Sequence, residues 1–587
     1  MMKKITGILS ALVLALALLP TTVFAAEEVA KIDDGTTFET LEAAVKAVKE
    51  GGTVTLLKST TGCGIGTFRA PKEGQIAAKS FTIDFGGFTY TVTDPAVGST
   101  GTETQGFHLE WSGNGDANHN VTLKNGKIEA AKGSTNVKML VQNYCNLTLD
   151  NMVLDGTNMP GSMPYTMSNN CGNVVIKDTT ITAAKNGVAF DVYGGFGSYG
   201  DVTVTVTGNS VVNGTVEVDR GTDTPNKNTL NIESGTIKGD LKVKENALSV
   251  VSVSGGSFTD LANAVKYAAD GAVIKLAGDV TNVGQANVKN NITVDLGGNT
   301  VTFTKFGFVA SKNLTLKNGA VKAGMSAVYA MKGANVLIEK DAKLHSEKNG
   351  TLVLVNNGTT ATVYGTIEAD KDSAISGVGN KEDGGVIINV EDGAVLDCKD
   401  GVGIYYPNTA ELNIKGGTIT GLTGVYVKSG KTTVTGGTII GTGAKTDYEY
   451  NGNGCNPTGD AFVVDKCNYP GGDPVVEIKG GTFKSEKANA LASYTGNGAA
   501  NALTGFVTGG FFSNDPSAFV SEGYTATKDA EGNYTVAKPT PGKPGAPMTY
   551  DAGIAIYGMS AVLSISGMAW LGLKKKGTDY VGKRMEK

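Results

Sequence analysis

Four stretches near the end of the chain share one pattern: LNIKGGTITG (412–421), TTVTGGTIIG (432–441), VEIKGGTFKS (476–485) and GFVTGGFFSN (505–514). In each of them an alternating run of apolar and polar residues is followed by a pair of glycines and a second short run. Alternation with a period of two predicts a strand with one buried face. Glycine adopts the backbone angles that a sharp bend requires. Each stretch therefore predicts a strand, a bend and a second strand.

The spacing of these stretches predicts stacked coils. Their glycine pairs begin at Gly416, Gly436, Gly480 and Gly509, so the steps along the chain are 20, 44 and 29. Short strands that recur about every 20–30 residues are typical of a solenoid, in which Val, Ile and Leu form an inward column. A β-propeller is the alternative, but its blades need longer hairpins and a more regular period of about 40 residues.

A longer repeat indicates that the body of the chain is duplicated. FETLEAAVKAVKEGGTVTLL (38–57) returns as FTDLANAVKYAADGAVIKLA (258–277), so that Phe38 corresponds to Phe258 and each copy is the size of a domain. FTIDFGGFTYTVT (81–93) and ITVDLGGNTVTFT (292–304) extend the match. At the start of each copy, apolar residues recur along one face of a predicted helix, which spans 261–269 in the second copy. Such a helix would cover the end of a stack. We predict two β-solenoid domains, 27–252 and 253–537.

The two ends of the chain predict export and anchoring. Residues 1–26 combine Lys3 and Lys4, an apolar run and a Val-Phe-Ala triplet, which is the pattern of a cleaved signal peptide. Residues 553–573 carry no charge and, at about 1.5 Å per residue, would span roughly 32 Å as a transmembrane helix. The basic tail, 574–587, would stay in the cytoplasm, which places the body outside the cell. A buried core helix is the alternative for 553–573.

The composition excludes several classes of protein. Gly is frequent, at 82 of 587 residues, but shows no collagen period, and 40% hydrophobic residues argue against disorder. A net charge of −5 with mixed signs argues against a nucleic-acid partner. The six cysteines have no CxxC spacing, so the sequence predicts no metal site. Cys455 and Cys467 could close a disulfide loop, or all six could be small buried residues.

The chain resembles Gram-positive bacterial surface proteins built from right-handed parallel β-helices of the pectate-lyase-like type. The resemblance rests on the helix followed by TVTLL, the DFGG and DLGG strands, the GGTI and GGTF coils and the end segment GGFFSNDPSAFVSEGYTATKDAEGNYTV (509–536). It implies an all-β fold, a right-handed parallel β-helix in two tandem copies, each with a short N-terminal capping helix. One C-terminal transmembrane helix would follow, and the protein would be displayed on the cell surface.

The segment before the apolar span is similar to a sortase sorting signal. Residues 538–552 form a proline-rich spacer, and Pro547, Met548 and Thr549 match the centre of LPxTG. Ala546 and Tyr550 replace the expected Leu and Gly. Two fates follow: a sortase joins the protein to peptidoglycan in the cell wall, or the chain stays a single-pass membrane protein.

The resemblance raises polysaccharide cleavage as an activity. A lyase would need carboxylates that hold calcium and an Arg or Lys base, and a hydrolase would need two or three facing carboxylates. The weak catalytic candidates in neighbouring coils are Asp150, Asp155 and Asp178. Neither Arg69 nor Arg220 lies near them in the sequence, so the sequence favours a protein that is not an enzyme. No cofactor is expected, with calcium only under the lyase alternative.

Three loops carry the other candidate site residues. FHLEWSGNGDANHN (107–120) contains two His and an Asp, but the irregular spacing favours an exposed loop over a metal site. The predicted binding residues lie in FDVYGGFGSYGD (190–201), TDYEYNGNGCNPTGD (446–460) and KCNYPGGDP (466–474): Phe190, Tyr193, Phe196, Tyr199, Tyr448, Tyr450 and Tyr469. Aromatic rings beside polar groups suit sugars or protein partners, although the same rings could pack against the solenoid.

Together these features predict a surface-anchored, non-catalytic β-helix protein. It would act as an adhesin or as a module that binds an extracellular glycan or a surface protein. A calcium-dependent polysaccharide lyase and a purely structural surface stalk are the alternatives.

Overall fold

The computed structural model describes residues 27–539, except residue 100 and segments 112–117, 220–223, 356–357 and 379–384. The predicted signal peptide, the sorting motif Pro547–Thr549, the apolar span 553–573 and the basic tail lie outside these residues. Among the described residues, no helix has the length and apolar character needed to span a membrane.

The regular secondary structure of the described chain is almost entirely β-strand. Its strands, numbered in chain order, are β1 (Ala30–Ile32), β2 (Thr37–Phe38), β3 (Thr53–Leu56), β4 (Thr60–Gly62), β5 (Ile65–Phe68), β6 (Ile76–Ala77), β7 (Phe81–Asp84), β8 (Thr89–Val92), β9 (Gln105–Leu109), β10 (Asn120–Ala130), β11 (Met139–Asn143), β12 (Asn146–Asp155), β13 (Tyr165–Asn169), β14 (Gly172–Lys177), β15 (Thr180–Thr182), β16 (Val188–Tyr193), β17 (Val202–Thr207), β18 (Val211–Asn213), β19 (Thr215–Asp219), β20 (Asn228–Ile232), β21 (Thr236–Lys238), β22 (Leu241–Val243), β23 (Ser249–Val253), β24 (Ser257–Phe258), β25 (Val273–Leu276), β26 (Val280–Val283), β27 (Ala286–Val288), β28 (Ile292–Asp295), β29 (Thr300–Phe303), β30 (Phe308–Ala310), β31 (Leu314–Lys317), β32 (Gly319–Ala323), β33 (Val328–Ala330), β34 (Asn335–Ile338), β35 (Ala342–Ser346), β36 (Leu352–Val355), β37 (Thr359–Val363), β38 (Thr366–Val378), β39 (Val386–Val390), β40 (Val395–Tyr406), β41 (Glu411–Ile414), β42 (Thr418–Gly421), β43 (Thr423–Val427), β44 (Lys431–Val434), β45 (Thr438–Gly441), β46 (Phe462–Lys466), β47 (Val475–Ile478), β48 (Thr482–Ser485), β49 (Leu491–Thr495), β50 (Gly510–Phe512), β51 (Thr525–Lys528) and β52 (Tyr534–Ala537). The helices are α1 (Leu41–Ala47), α2 (Leu261–Lys266) and a 3₁₀ turn at Ser517–Phe519.

These strands form three sheets, here called A, B and C, with 25, 8 and 19 strands. Sheet B contains β5, β6, β9, β11, β13, β16, β19 and β22. Sheet C contains β26, β27, β29, β30, β32, β33, β35, β36, β38, β40, β42, β43, β45, β46 and β48–β52, and sheet A holds the rest.

Each coil contributes up to three short strands, and each strand pairs with its counterpart in the next coil. For example, β31, β32 and β33 pair in parallel with β34, β35 and β36. This arrangement confirms the prediction of an all-β fold of stacked parallel strands. The handedness of the coils stays a prediction.

One inward column illustrates the core. Leu123, Leu149, Ile176, Val206, Ile232 and Val253 face one another in successive coils of sheet A. Each is at most 1% exposed. Burial of one such side chain contributes about 1.5–3 kcal/mol. The alternation in the sequence therefore produces the stack, because every second residue of each strand joins such a column.

The glycine pairs bend the chain as the sequence predicts. Gly437, the second glycine of its pair, has a φ of +84°, and a Cβ there would lie 2.5 Å from the carbonyl oxygen of Gly416. A Cβ on Gly436, the first of the pair, would lie 2.2 Å from the carbonyl oxygen of Lys415. Glycine is required at both places, by backbone angle and by close stacking of coils.

The helix of the second copy lies within the stack. It ends at Lys266, three residues before the predicted end, and its N-cap residue Asp260 accepts a hydrogen bond from the backbone N–H of Asn263 (3.2 Å). Strand β24, just before it, pairs in parallel with β21 on one side and β25 on the other. Sheet A thus runs from the first copy into the second, and residues 27–522 and 526–537 form one compact unit. The division into two domains at residue 252 stays a prediction.

The first and last described coils are closed by antiparallel strands. Strand β1 pairs with β2 and β3, and β52 pairs with β50. Helix α1, capped by Thr40, buries Leu41, Ala44 and Val45 beside β1. An open sheet end would template pairing with another chain, and these elements cover it.

The neighbouring residues Val273 and Ile274 test the register where the two copies join. Ile274 is fully buried and Val273 is 39% exposed. Because Ile274→Ala leaves a cavity, we expect it to lower the free energy of unfolding by about 2–5 kcal/mol. Val273→Ala should change it by no more than about 0.5 kcal/mol. Chemical denaturation measures both, and equal effects would contradict the register.

Candidate functional site

A column of polar residues runs along the outward face of sheet B. Because the strands are parallel and in register, His108, Gln142, Ser168, Asp191, Glu217 and Lys242 lie next to one another in six successive coils. Five steps of about 4.8 Å give a row of roughly 24 Å. We call this row the polar ladder.

Hydrogen bonds connect the ladder at its first end. The Nδ1 atom of His108 lies 3.0 Å from Oε1 of Gln142, whose Nε2 donates to the hydroxyl of Tyr144 (3.0 Å). Ser168 donates to Oδ2 of Asp191 (3.2 Å). His108, Gln142 and Ser168 are all buried.

The ladder opens to solvent at its other end. Asp191 and Glu217 are partly exposed and Lys242 is exposed. Glu217 accepts a hydrogen bond from the hydroxyl of Tyr165 (3.4 Å) and lies 3.9 Å from Nζ of Lys242. This end, from Asp191 to Lys242, is where a ligand can reach the ladder.

An aromatic cluster borders the ladder, here called the aromatic wall: Trp111, Tyr144, Tyr193, Phe196 and Tyr199. The rings of Tyr144 and Tyr199 lie 4.6 Å apart, and Trp111 lies 5.4 Å from Tyr199. Phe196 contacts both Tyr144 (5.9 Å) and Tyr193 (5.4 Å). Phe196 is 41% exposed, so the wall presents apolar ring surface. The ring of Phe196 meets the ladder strands through Tyr144 and Tyr193.

The spacing of the aromatic residues along their strands, and a tight turn after Tyr193, explain why the aromatic wall forms. Tyr144 and Tyr193 follow ladder residues by two positions, and alternate residues of a strand share a face. The loop after Tyr193 folds back over its ring, since a Cβ on Gly195 would lie only 2.1 Å from that ring. This turn brings Phe196 and Tyr199 against Tyr144.

The predicted binding residues of the first loop divide between the core and the surface. Phe190 is fully buried, in register with Met167 and Val216. Tyr193, Phe196 and Tyr199 join the aromatic wall. Sequence reasoning missed Tyr144 and the ladder, and it placed Trp111 only in a polar loop. Several ladder residues alternate with apolar neighbours in their own strand, as Glu217 does in TVEVD (215–219), and this alternation is a sequence signal that could have found them.

Burial changes the acidity of the ladder. It raises the pKa of Asp191 to about 7, although part of this residue is exposed to solvent. The backbone N–H of Asn169 (2.8 Å) and the hydroxyl of Ser168 (3.2 Å) donate to its carboxylate and act in the opposite direction. Burial also lowers the pKa of His108, so its ring stays neutral at pH 7. Within the described chain, neither Nε2 of His108 nor Nε1 of Trp111 has a hydrogen-bond partner.

The weak catalytic candidates lie elsewhere, on sheet A and its corners. Asp150 forms an ion pair with Lys177 (3.4 Å), and Asp155 forms one with Lys127 (2.8 Å). Asp178 lies at a corner with a φ of +48°, where it accepts a hydrogen bond from the backbone N–H of Asn209 (2.8 Å). All three link neighbouring coils.

The second group of predicted binding residues packs against sheet C. The hydroxyl of Tyr448 donates to Asp465 (2.8 Å), and the rings of Tyr450 and Tyr469 lie 5.4 and 5.1 Å from Nζ of Lys428. Lys428 and Asp465 are fully buried and 3.7 Å apart. Tyr448 and Tyr450 therefore hold the loop 442–461 onto the flank of the stack, and Tyr469 contacts the same lysine from the segment after β46.

Among the described residues, the cysteines and histidines form neither a disulfide nor a metal-binding group. All six cysteines are free thiols, including Cys455 and Cys467. No group of three or more His, Cys, Asp or Glu side chains is placed to hold a metal ion among residues 27–539 as far as they are described. Of the polar loop 107–120, His108 belongs to the ladder, and Asp116 lies outside the described residues.

Comparison with protein-family models, curated proteins and solved structures finds no match to this chain. The functional interpretation therefore depends on the geometry of the ladder and the wall.

Asp191 predicts a pH dependence of stability. A free Asp side chain has a pKa of about 3.9, so between about pH 4 and pH 7 the folded state keeps a proton that the unfolded chain has lost. The folded state thus binds more protons, and this residue makes the protein less stable as the pH rises through that range. Asp191→Asn removes the effect, so the melting temperature of the variant should rise relative to wild type between pH 5 and pH 8.

Asp219→Asn is the matched control, because Asp219 lies in β19, one coil beyond Asp191, and forms an ion pair with Lys244 (3.4 Å) near the surface. Its difference from wild type should stay nearly constant over the same range. A constant difference for Asp191→Asn as well would show that Asp191 is ionised throughout.

Proposed function

We propose that this protein is a non-catalytic, surface-anchored right-handed β-helix that binds a glycan at the open end of the polar ladder. Two tandem copies of the repeat would form the β-helix. The carrying observation is the exposed ring of Phe196, which packs against Tyr193, two positions after Asp191 of the ladder.

The chemistry of sugars supports this proposal. A sugar ring has an apolar C–H face that packs on an aromatic ring, and hydroxyls around its edge that need hydrogen-bond partners. Phe196 and Tyr193 supply ring surface. Asp191, Glu217 and Tyr165 supply acceptors and a hydroxyl in adjacent coils. The repetition along the stack suits a polymer with repeated units.

The charges favour a neutral glycan. Glu217 and Asp219 lie beside Lys242 and Lys244 in the next coil, at 3.9 and 3.4 Å. The acid–base balance leaves no excess of positive charge for a polyanion. A neutral polysaccharide loses less hydration on binding than a charged one, because a buried charge needs a partner.

The ends of the chain support display outside the cell. The signal-peptide pattern, the proline-rich spacer and the apolar span predict either a membrane anchor or attachment to peptidoglycan by a sortase after Thr549. In either position the ladder would face extracellular glycans or surface proteins of another cell, the role of an adhesin.

Removal of the exposed rings tests this function. Phe196→Ala and Tyr193→Ala each remove apolar contact area, so we expect at least a tenfold loss of affinity for the glycan that binds best on an array. Tyr364→Ala is the control, because that tyrosine is 40% exposed and lies outside the wall. Absence of binding to every glycan on the array would favour the structural stalk.

A second candidate function, glycan hydrolysis, is favoured by one observation. Asp191 and Glu217 are neighbours in register, and burial raises the pKa of Asp191 to about 7. Because neighbouring strands lie about 4.8 Å apart, the pair suits a retaining mechanism, in which Asp191 gives its proton to the glycosidic oxygen while Glu217 attacks the anomeric carbon. Water that Asp191 deprotonates would then cleave the glycosyl ester of Glu217 and release the sugar. The lyase alternative would instead need Asp150, Asp155 or Asp178 to leave their contacts and hold calcium.

Product analysis separates these activities. Hydrolysis predicts new reducing ends that disappear in Asp191→Asn and Glu217→Gln but persist in Asp219→Asn. A lyase predicts unsaturated products from acidic polysaccharides. A protein that binds the glycan but yields neither product supports the non-catalytic proposal.

A further inference from the structure

We propose a second saccharide site in the pocket where the loop 442–461 meets strand β49. The pocket has a volume of about 340 Å³, and its lining includes Lys445, Asp447, Tyr448, Asn489, Tyr494 and Asp515. We call it the loop pocket. It shares no residue with the polar ladder or the aromatic wall, so this inference does not depend on the proposed function.

The pocket arises from the longest coil of the second copy. Leu412 pairs with Thr432 in the next coil, and Thr432 pairs in turn with Val476, so the second of these two coils is more than twice as long as the first. The extra residues form the loop 442–461 between β45 and β46. Thr446 ties the two arms of this loop together, because its hydroxyl donates to the carbonyl oxygen of Pro457 (2.9 Å).

Two tyrosines form the apolar wall of the pocket. The rings of Tyr448, from the loop, and Tyr494, from β49, are stacked with centroids 4.8 Å apart and planes 13° from parallel. Tyr448 donates its hydroxyl proton to Asp465 (2.8 Å), and Tyr494 donates to Asp460 (2.7 Å). The rings are therefore fixed, as a preorganised binding surface requires.

The two carboxylates that hold the rings are fully buried. Asp465 also accepts from Tyr426 (3.0 Å), and Asp460 accepts from Thr458 (2.6 Å). Burial, and then the hydrogen bonds to these carboxylates, raise the pKa of Tyr448 and Tyr494, so both hydroxyls remain donors. Because the hydroxyls are engaged inside the protein, the rings offer carbon surface to the pocket.

Charged side chains complete the lining of the loop pocket and restrict the charge of the ligand that it can accept. Lys445, Asp447 and Asp515 lie exposed around the rings, one positive and two negative charges. This negative balance disfavours a uronate and accepts a neutral or amino sugar. The volume lies at the lower end of the range of about 300–1,000 Å³ for small-ligand sites, which suits one or two sugar rings.

A loop pocket and a ladder on one chain would raise the avidity for a polymeric glycan. Once one site holds the polymer, the second contact becomes intramolecular and occurs at a high effective concentration. The chain would therefore hold a long glycan more tightly than it holds a disaccharide.

Titration of the purified full-length protein with disaccharides tests the loop pocket. The probes are cellobiose, N,N′-diacetylchitobiose and digalacturonate. We expect at least one of the first two to bind more tightly than digalacturonate. Tyr494→Ala should weaken this binding at least tenfold, and Tyr494→Phe, which keeps the ring, should weaken it about threefold or less.

Two further variants separate the pocket from the fold and from the ladder. Asp447→Lys changes an exposed charge only, so the melting temperature should stay constant while the preference for neutral sugars over digalacturonate falls. Phe196→Ala, in the aromatic wall, should leave disaccharide binding to the loop pocket unchanged. The inference is overturned if neither neutral disaccharide binds, if digalacturonate binds best to wild type, or if Phe196→Ala abolishes binding that Tyr494→Ala and Asp447→Lys leave intact.

Discussion

The structure depends on one constraint: each coil pairs in parallel and in register with the coil before it. Residues far apart in sequence thus lie side by side, as Val206 does with Ile232 and Ser168 with Asp191. Inside the stack, this constraint requires an apolar residue at the equivalent position of every coil, because a void or an unpaired polar group in the column lowers the stability of the fold. Outside, it turns unrelated residues into continuous rows, and the polar ladder is one such row.

The sequence predicted the stack but not the ladder, for a physical reason. Alternation and glycine pairs are properties of a single coil, whereas a row depends on the length of every coil between its members. From His108 to Glu217 the steps between ladder residues are uneven, at 34, 26, 23 and 26, and a shift by a single position would turn a side chain to the other face. Phe190 and Asp191 show the consequence: the ring predicted to bind lies in the core, and its neighbour lies in the ladder. Asp178, a catalytic candidate from its residue type, occupies a corner of the kind that Asn125 and Asn151 occupy in the two preceding coils, all with positive φ.

Both candidate sites occur where a loop departs from the regular coil and rests on an outward sheet face. Surface loops tolerate inserted residues, because the core columns beneath them do not change. Each loop is nevertheless fixed by buried polar contacts. Nζ of Lys428 donates to the carbonyl oxygens of Asn451 and Gly454 within the loop 442–461 and lies beside Asp465. A buried charge without its partner is strongly destabilising, so this arrangement holds the loop in one conformation. A rigid stack with anchored loops is suited to hold rings and carboxylates ready for a sugar.

The central claim is that in-register stacking gathers distant residues into one glycan-binding face. Hydroxyl-radical footprinting of aromatic side chains, with and without the glycan that binds best, tests it most directly. In-register stacking predicts protection of both Tyr165 and Phe196, which come from different coils, and no change at the exposed Tyr364. Protection confined to one of the two residues, or protection of Tyr364 instead, would contradict it.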